Sequence, residues 1–560
     1  MRINLIGNFN PNTGVSQDVS ILHGLIVHVL GPETRVRRVP HFHPQCPQAE
    51  INFFIEVVNP CLFNYAGYNI WIPNPEWTYQ TWIPYLHMVD EVWAKTEEGL
   101  ELFKAAGAKR VLNVGWTSID KGFAPKDWSK AVVPVGKNVW RDPKPIVQAY
   151  MRLKNDPVYS RLPALTIVSR LEMPVIPEQV TDKITRIEFL PEDEYKKLVQ
   201  EAGLVVCTSA AEGFGHAVNE GMSTGSLMIL SPIAPFRELT KEALWVSTSK
   251  SMKHPQCLGT LEDVEIDSIV DSLKMYCDMS VPQREAQSRR MREAYEDRHE
   301  AFIARMTGEL KNLAKILPYS MEARLPEESD LPSVSVITLT RDRRAFIPLA
   351  KYCMVAQTYP DSKIEWVIVD DGKDQIKDLV SDLPNVTYVL VDEPMTIGAK
   401  RNLGISRAKH DVLIMMDDDD VYPNNSILTR VAHLFMEPAA GCLFSTVLPS
   451  YDIHETKSFM NVPPITLPMA QRVSEATICC TRKFWEDKPF PDQQIAEGDA
   501  FISGREQMCR EISPQDVIVS LTHRKTTSSR KAPAGEPNGC HYGFSDDLFT
   551  LVSEIAARLT

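Results

Sequence analysis

Short apolar runs alternate with stretches of helical composition along most of this sequence, and that alternation restricts the folds open to it. In residues 126–315, the runs AVVPVG, ALTIVS, ITRIEFL, AGLVVCTS and SLMILS alternate with helical stretches such as EYKKLVQEAG. INLIG and INFFIEV repeat the pattern near the first residue, and VSVITLT and EWVIVDDG repeat it after residue 333. Buried strands that alternate with helices form parallel sheets covered on both faces. The sequence therefore predicts an α/β protein.

The chain of 560 residues is too long for one hydrophobic core, and about 150 residues per domain suggests three or four units. The stretch 317–332 is rich in proline and acidic residues and lacks periodicity, which is typical of a linker. A long polar helix is predicted just before it, over 282–316. We therefore expect domains at 1–125, 126–316 and 333–560.

Charge and composition argue against several classes of protein. A net charge of −13 argues against a nucleic-acid partner, which would need clustered lysine and arginine. No apolar stretch approaches 18 residues, so we expect no membrane span, while peripheral association stays open. The start, MRINLIGNFN, has the pattern of a first β-strand rather than a signal peptide. The eleven cysteines are scattered without C-x-x-C spacing, which indicates reduced thiols and a cytoplasmic protein.

Four consecutive aspartates, Asp417, Asp418, Asp419 and Asp420, follow the apolar run VLIMM directly. Ligands of open parallel sheets bind at the carboxyl ends of the strands, so these acids stand where chemistry is expected. Each close pair of carboxylates costs on the order of 2–4 kcal/mol at an intermediate dielectric, and a divalent cation relieves that repulsion. Oxygen ligands suit Mg²⁺ or Mn²⁺. The alternative is a solvated acidic turn.

Charged residues elsewhere in this third of the chain favour the metal site. A second predicted strand ends in Asp370 and Asp371, and Lys400 and Arg401 precede a helical stretch that leads into the aspartates. Two cations beside a metal are what a diphosphate requires. The pattern therefore indicates a site for a metal and a diphosphate.

Further along the chain, two acids and a histidine complete this pattern. Glu497 and Asp499 flank a glycine at the start of a predicted helix, where a carboxylate could take a proton from an attacking hydroxyl. His523 could join the aspartates on Mn²⁺.

These motifs occur in a familiar order. VSVITLTRDR, VIVDDG, IGAKRNLGISRAKHDVLIMMDDDD, AEGDAF and THRKTTSSR, within residues 333–530, resemble family 2 glycosyltransferases of GT-A fold. The resemblance implies an inverting, metal-dependent enzyme with a nucleotide-diphospho-sugar donor, and a mixed, mainly parallel sheet flanked by helices. It also implies donor and metal roles for several residues: Asp370 on the nucleobase, Asp371, Lys400, Arg401 and Asp418 at the donor, Asp417 and Asp419 as the D-x-D acids, and His523 at the metal.

Two points of that resemblance stay open. The D-x-D frame is either 417/419 or 418/419, with Asp419 as the more direct metal ligand in both. The general base would be Asp499, but the motif reads Glu-Gly-Asp instead of an acidic pair, so Glu497 remains a rival.

The segment CTSAAEGFGHAVNEGMSTG is the strongest motif in the first half of the chain. Seven residues separate Glu212 from Glu220, and Gly213, Phe214 and Gly215 lie where a strand would turn into a helix. Backbone N–H groups at such a helix start form an anion site. The alternative is an acid near a helix N-cap and a surface acid. The segment resembles family 4 glycosyltransferases, which are retaining and of GT-B fold, with two Rossmann-like domains. The resemblance implies that Glu220 holds the donor ribose and Glu212 faces the donor sugar.

The same resemblance assigns two cations to the donor diphosphate. Lys137 fits the first position and Arg141 the second, although Lys144 could serve instead. Residues 1–125 would then form the acceptor half, with Gly14 in a glycine loop near the cleft. An aromatic patch around Trp77 could stack on a sugar, or it could simply be packed in the core.

The sequence as a whole is therefore interpreted as a bifunctional glycosyltransferase that uses nucleotide-sugar donors and a glycan acceptor. One site would be of GT-B type, retaining and independent of metal, and the other of GT-A type, inverting and dependent on Mn²⁺ or Mg²⁺. The main alternative is a single active GT-A enzyme whose GT-B half is degenerate and binds or positions the glycan. A soluble nucleotide-binding protein or nucleotidyltransferase is a third class. The sugars, the linkage and the oligomeric state stay open.

Overall fold

The computed structural model describes residues 1–11, 13–43, 45–172, 175–321, 327–436, 439–524, 526 and 542–559. It divides into two compact units. Unit 1 comprises Met1–Phe42, Gln48–Asn59 and Ala66–Tyr319, and unit 2 comprises His43–Pro47, Pro60–Tyr65 and Ser320–Thr560. Two short segments from the first 65 residues thus belong to unit 2, which the sequence pattern does not indicate.

The first sheet of unit 1 is built from strands that all run parallel. Its elements are β1 (Arg2–Gly7), α1 (Gly14–Leu30), β2 (Arg35–Pro40), β3 (Ala49–Ile55), β4 (Ala66–Ile72), β5 (Glu91–Ala94), α2 (Glu97–Ala105) and β6 (Val111–Asn113). The strand order is β2-β1-β3-β4-β5-β6. The central strand β3 is buried along its whole length, as the apolar run INFFI requires.

The second sheet of unit 1 is also parallel, with the order β12-β11-β10-β7-β8-β9. Its elements are β7 (Asp127–Gly136), α3 (Lys144–Leu153), β8 (Ala164–Ser169), β9 (Ile184–Ile187), α4 (Glu192–Glu201), β10 (Ala202–Cys207), α5 (His216–Thr224), β11 (Leu227–Leu230), α6 (Ala234–Leu239) and β12 (Leu244–Trp245). An antiparallel hairpin and two helices follow: β13 (Thr248–Lys253), β14 (Thr260–Val264), α7 (Ile266–Asp278) and α8 (Val281–Leu313). Helix α8 packs against both α1 and α5, so it joins the two sheets of the unit.

Unit 2 contains a mixed sheet with the order β17-β16-β15-β18-β22-β19-β23, in which β22 runs antiparallel to both neighbours. The elements of its first part are β15 (Val334–Thr340), α9 (Ile347–Val355), β16 (Ile364–Asp370), α10 (Lys377–Val380), β17 (Val386–Leu390), α11 (Ile397–Arg407), β18 (Val412–Met415) and α12 (Ser426–Met436). Those of its second part are β19 (Cys442–Phe444), β20 (Leu448–Asp452), β21 (Lys457–Asn461), β22 (Cys479–Thr481), α13 (Arg482–Asp487), α14 (Glu497–Ile502), β23 (Cys509–Glu511), β24 (Ser520–Thr522) and α15 (Asp546–Arg558). A small sheet, β21-β20-β24, stands beside the main one.

The predicted fold class is confirmed: two Rossmann-like parallel sheets are followed by a mixed, mainly parallel sheet. The domain boundaries stay a prediction. Strands β2, β6, β12 and β23 and the hairpins β13–β14 and β20–β21 are additional to the predicted strands. Strand β2, with the sequence RVRRVP, is an edge strand that is largely exposed, so it lacks the apolar run of a buried strand.

Among the described residues, no helix is long and apolar enough to cross a membrane. The ten cysteines in the described part of the chain are all buried, free thiols.

Candidate active sites

The aspartates that follow β18 do not share one environment. Asp417, Asp419 and Asp420 each offer a carboxylate oxygen, and these oxygens all lie within 4.8 Å of one another. Asp418 is fully buried instead, and its Oδ1 accepts a 2.9 Å hydrogen bond from Arg343. We call Asp417, Asp419 and Asp420 the acid cluster. Oxygen donors in this spacing fit a divalent cation such as Mn²⁺ or Mg²⁺.

Arg343 compensates the charge of these acids, although the sequence motif that contains it assigns it no role. It follows β15, the strand that pairs with β18, and its guanidinium lies 2.6 Å from Asp419 as well as beside Asp418. Burial raises the pKa of Asp418, and Arg343 opposes this only in part. The available signal was positional, because an arginine at the carboxyl end of a neighbouring parallel strand lies at the same edge of the sheet.

His523 lies directly beside the acid cluster. Its Nε2 is 3.0 Å from Oδ2 of Asp419, and its ring centroid is 4.5 Å from that of Phe346. Burial disfavours ionisation of Asp419, but the hydrogen bond from His523 and the charge of Arg343 outweigh it and lower the pKa. Arg530, from the same motif as His523, lies outside the described residues.

The start of α11 brings two cations to the same cavity. Nζ of Lys400 is 2.6 Å from Oδ1 of Asp371 and donates to the carbonyl of Thr340. Arg401 donates to Oε1 of Glu497 at 3.0 Å and lies 3.5 Å from Oδ1 of Asp417. Both cations are almost completely buried, so their charges are little screened by solvent.

A cavity of about 470 Å³ lies over the carboxyl ends of β15 and β18. Its lining includes the acid cluster, Arg343, Lys400 and Arg401. Carboxylates and cations that line one cavity can hold a metal ion and an anionic group side by side. This arrangement can bind a metal–diphosphate complex.

Asp370 is predicted to contact a nucleobase, but its carboxylate is occupied within its own loop. It accepts hydrogen bonds from the N–H groups of Gly372 and Ile376 and from the hydroxyl of Tyr388, at 2.6–3.1 Å. It is fully buried, and among the described residues the cavity lining includes Asp371 and not Asp370. Asp370 therefore stabilises the conformation of the loop that follows β16.

The two predicted bases stand on α14. Glu497 is buried and holds Arg401, whereas Asp499 is partly exposed and accepts a 3.0 Å hydrogen bond from the hydroxyl of Ser503. Ala496, just before the helix, has a φ of 57°, a left-handed conformation that costs a non-glycine residue about 1–2 kcal/mol. Neither acid is among the described residues that line the cavity.

Unit 1 has a cavity of its own, of about 510 Å³, lined by residues of α1 and by residues of the second sheet with its loops and helices. Gly14, at the start of α1, and Glu220, on α5, both line it. Glu220 accepts hydrogen bonds from Gln17 at 2.9 Å and Tyr195 at 3.2 Å, and lies 3.4 Å from Nζ of Lys121. The cavity thus combines a buried acid with hydrogen-bond donors from both parts of the unit.

Glu212 and Arg141 bind each other. The guanidinium makes two parallel hydrogen bonds to the carboxylate, one of them 3.0 Å from Nη2 to Oε2. Asn138 and Ser209 donate to the same carboxylate. Arg141 is among the residues that line the cavity, and Glu212 is not. A bidentate pair of this kind is strong and geometrically specific, so Glu212 fixes the position of Arg141.

The other residues of the first-half motifs are placed differently from one another. Lys137 is exposed and is not among the described residues that line the cavity, whereas Arg170 and Lys121 are. Phe214 is packed in the core. Gly213 meets Asn74 so closely that a Cβ would lie 2.6 Å from its Oδ1.

In the turn before α5, Gly215 has a φ of 102°, which a side chain would strain. In the aromatic patch around Trp77, Trp71 and Trp82 are buried, whereas Trp77 and Tyr79 are half-buried.

A buried charge network near the cavity of unit 1 is formed by residues to which the motifs assign no role. Asp18 forms an ion pair with Lys95, both side chains being 2% exposed. Its other oxygen lies 2.8 Å from Nε2 of His216 and accepts a hydrogen bond from Trp116. These groups come from α1, the turn between β5 and α2, the loop after β6 and the start of α5, so only the tertiary fold brings them together.

Two family models match the chain. Residues 335–487 match the model described as Glycosyl transferase family 2, and residues 170–254 match the one described as Glycosyl transferases group 1. The first region covers β15 to α13, and the second covers β10 and α5 with their flanking strands.

Among curated proteins, the GDP-mannose:cellobiosyl-diphosphopolyprenol alpha-mannosyltransferase of Xanthomonas oryzae pv. oryzae is 36% identical over 75 residues, 13% of this chain and 20% of that protein. Glycosyltransferase AglE of Haloferax volcanii is 26% identical over 183 residues, 30% of this chain and 60% of that protein. The chain therefore spans less than two thirds of the length of either relative.

Solved structures with similarity include mannosyltransferase PcManGT from Pyrobaculum calidifontis in complex with GDP-Man and Mn²⁺. It is 17% identical, with a TM-score of 0.29, and the match covers 37% of this chain and 63% of that one. TarS from S. aureus in complex with UDP-GlcNAc is 18% identical, with a TM-score of 0.28, over 40% of this chain and 66% of that one. The chain therefore contains a region that matches Glycosyl transferases group 1 within unit 1 and a region that matches Glycosyl transferase family 2 within unit 2.

Proposed function

We propose that the chain is a bifunctional glycosyltransferase that transfers sugars from nucleotide-diphospho-sugar donors to a glycan acceptor. Unit 2 would carry an inverting, metal-dependent site and unit 1 a retaining, metal-independent one. One observation carries the proposal for unit 2: three carboxylate oxygens lie within 4.8 Å of one another in a cavity that also contains Lys400 and Arg401. A nucleoside diphosphate bound through a metal needs both features.

In unit 2, Asp417 and Asp419 would hold Mn²⁺ or Mg²⁺, with Asp420 beside them. A divalent cation held by these residues would supply positive charge for the diphosphate that leaves. Lys400 and Arg401 would bind the diphosphate oxygens and orient the donor. The acceptor hydroxyl must lose its proton to a carboxylate, and Asp499 and Glu497 are the acids that the sequence proposes for this role.

The proposal for unit 1 is supported by the combination of Glu220 with cations in one cavity. Glu220 would hold the donor ribose hydroxyls. The diphosphate would lie near the start of α5, where free N–H groups and the helix dipole favour an anion, within reach of Arg141 and Arg170. Gly14, whose position leaves room at the cavity, would admit the donor from the side of α1.

The donor sugar is proposed from the relatives. The Xanthomonas oryzae protein is named as a GDP-mannose-dependent mannosyltransferase, so GDP-mannose is the first donor to test.

A second function is favoured by a specific observation in unit 1. Arg141 and Glu212, both assigned to the donor, satisfy each other, and Lys137 is exposed. In this alternative, unit 2 is the only enzyme, and unit 1 binds or positions the glycan.

The test is calorimetric titration of the full chain with GDP, in the presence and absence of Mn²⁺. We expect Mn²⁺ to tighten GDP binding at least tenfold in the wild type and in Glu220→Gln, but not in Asp419→Ala. If Asp419→Ala binds GDP with the same dependence on Mn²⁺ as the wild type, the metal site in unit 2 is refuted. The full chain is required because segments from the first 65 residues are part of unit 2.

A further inference from the structure

Four cationic side chains line the cavity of unit 2, and they differ in how the protein engages them. The four are Arg341, Arg343, Lys400 and Arg401. Arg343, Lys400 and Arg401 form salt bridges with buried acids, at distances of 2.9, 2.6 and 3.0 Å. Arg341 is exposed, and its guanidinium forms no salt bridge or hydrogen bond with the described residues. Among these four cations, Arg341 is therefore the one that can bind a ligand without giving up a partner.

The backbone around Arg341 is held in one conformation by a neighbouring loop. Arg341 follows the last residue of β15, and the next residue, Asp342, has a left-handed φ of 52°. Oδ1 of Asp342 accepts hydrogen bonds from the N–H groups of Lys373 and Asp374 at 2.7 and 3.0 Å. A Cβ on Gly372 would lie 2.5 Å from the backbone nitrogen of Asp342, so the missing side chain permits this approach. Arg341 therefore extends into the cavity from a turn that is fixed against the loop after β16.

The cavity of unit 2 has two ends of different chemistry. The acid cluster follows β18, whereas the turn of Asp342 contacts the loop after β16, and β15 lies between these two strands. Adjacent strands are about 4.8 Å apart, so the two ends are separated by about 10 Å. A nucleoside diphosphate is long enough to span this distance. When its phosphates lie at the acid cluster, its base extends toward Arg341.

The acids at the end of the cavity near β16 are already engaged. Asp370, which the sequence motif assigns to the nucleobase, is bound within its own loop and is not among the described residues that line the cavity. Asp371 lines the cavity, but it is held by a salt bridge and by the N–H of Met395 at 2.9 Å. Asp342 is hydrogen bonded within its turn. Recognition of a base at this end is thus better supplied by the guanidinium of Arg341 than by a carboxylate.

A guanidinium distinguishes the nucleobases by the acceptors that they present. Its N–H groups form a planar fork, which pairs with two acceptors that lie side by side. Guanine presents O6 and N7 in this arrangement, and adenine replaces O6 with an amino donor. In uracil an N–H donor separates the two carbonyl oxygens, so one guanidinium cannot pair with both. Arginine at this position therefore favours guanine.

We propose that Arg341 is a specificity-determining residue of unit 2 that pairs with O6 and N7 of a guanine base. The donor of this unit is then a GDP-sugar, and Arg341 rather than Asp370 recognises the base. This inference rests on the function proposed for unit 2. The competing role for Arg341, attraction of a phosphate oxygen, would strengthen binding of every nucleoside diphosphate alike.

The test is calorimetric titration of the full chain in a Glu220→Gln background, which weakens binding at the cavity of unit 1. Only affinity that depends on Mn²⁺ is compared, because the site of unit 1 is proposed to be independent of metal. We expect GDP to bind about 10–100-fold more tightly than UDP or ADP, the discrimination of one bidentate arginine–guanine pair. Inosine diphosphate keeps O6 and N7 and should bind within about threefold of GDP, whereas 7-deaza-GDP lacks the N7 acceptor and should bind about tenfold more weakly.

Two substitutions of Arg341 separate recognition of the base from attraction of a phosphate. Arg341→Met should lower the affinity for GDP about 10–100-fold and leave that for UDP within about threefold. Arg341→Lys keeps the charge without the planar fork, so it should not restore the preference for GDP over UDP. Arg407→Met, which removes an exposed arginine near the end of α11, is the matched control and should bind both nucleotides as the background protein does.

Three results would overturn the assignment of Arg341 while leaving the proposed function intact. The first is equal Mn²⁺-dependent affinity of the background protein for GDP and UDP. The second is an equal loss of both affinities in Arg341→Met that Arg341→Lys restores, which would assign Arg341 to a phosphate. The third is an undiminished preference for GDP in Arg341→Met. If neither nucleotide binds with any dependence on Mn²⁺, the function proposed for unit 2 falls together with this inference.

Discussion

The buried side chain of Glu76 makes a quantitative prediction about unit 1. Glu76 stands in the short turn after β4, is 6% exposed, and its Oε2 has no hydrogen-bond partner among the described residues. Burial, and then the nearby charge of Glu212, raise its pKa from 4.5 to about 8. The folded protein therefore holds a proton on Glu76 over a pH range in which the unfolded chain has lost it.

The sign and size of the effect follow from proton linkage. The protonated form of Glu76 makes its full contribution to the unfolding free energy below pH 4.5, and this contribution is lost as the pH rises through about 8. At about 1.4 kcal/mol per pH unit, this interval amounts to about 5 kcal/mol of unfolding free energy as an upper value. Glu76→Gln cannot ionise and removes this slope. An imperfect hydrogen bond costs the amide about 1 kcal/mol, so the variant should be slightly less stable at pH 4.5 and several kcal/mol more stable at pH 8.

Urea titrations of the full chain at several pH values, followed by tryptophan fluorescence, measure this difference. Eight of the ten tryptophans belong to unit 1, so the signal reports mainly on its unfolding. Glu101→Gln on α2, where the side chain is 65% exposed, is the control and should follow the wild type. Parallel pH dependences for the wild type and Glu76→Gln would refute the reasoning.

Three further predictions concern packing, charge and metal. In Gly398→Ala the new Cβ would lie 1.8 Å from the carbonyl oxygen of Pro491, so we expect the unfolding free energy to fall by at least about 3 kcal/mol in urea titrations. Gly308→Ala, with no described atom within 4 Å of its Cβ, should raise it by up to about 1 kcal/mol. Equal effects would contradict the close contact between Gly398 and Pro491. Lys95→Met should lower the unfolding free energy by about 3–5 kcal/mol because it leaves Asp18 buried without its cation. Adding Asp18→Asn should restore much of this loss. A double variant as unstable as Lys95→Met alone would refute the ion pair. Mn²⁺ at about a hundred times its Kd should stabilise unit 2 by about 2.7 kcal/mol in thermal scans, and an unchanged melting temperature would argue against a metal at the acid cluster.

The local sequence is sufficient to predict much of the fold and part of the candidate sites. Strands such as β11 and β18 are continuous apolar runs, and buried parallel strands have this composition, so their type and order can be predicted from the sequence. The acids come directly after β18, and the cations lie on α11, the helix before it. Because these positions share one edge of the sheet, the sequence predicts that the acids and the cations lie close together.

Contacts that arise from strand pairing and loop packing could not be predicted from the sequence. Arg343 meets Asp418 because β15 pairs with β18, and nothing local to either residue encodes that pairing. Asp370 looks like a free acid at a strand end, yet the N–H groups of its own loop occupy it. Glu475 is 23 residues from Gly498 in the chain, and only the glycine's missing side chain explains their contact.

In unit 1, the sequence identifies the motif residues but does not identify the residues that they contact. The spacing of Glu212 and Glu220 locates the turn before α5, but the two glutamates have different environments. Glu212 is held by Arg141, whereas Glu220 lines the cavity with Lys121. Lys121 comes from the segment between the two sheets, so its place at the cavity depends on how the halves of unit 1 pack.

The most direct test of two donor sites is turnover of GDP-mannose and a panel of UDP-sugars by the full chain, with and without a chelator. Three proteins are compared: the wild type, Asp419→Ala and Glu220→Gln. We predict two separable activities, one abolished by the chelator and by Asp419→Ala, the other by Glu220→Gln alone. A wild type whose whole activity survives the chelator, or an Asp419→Ala variant that turns over every donor at the wild-type rate, would contradict the account.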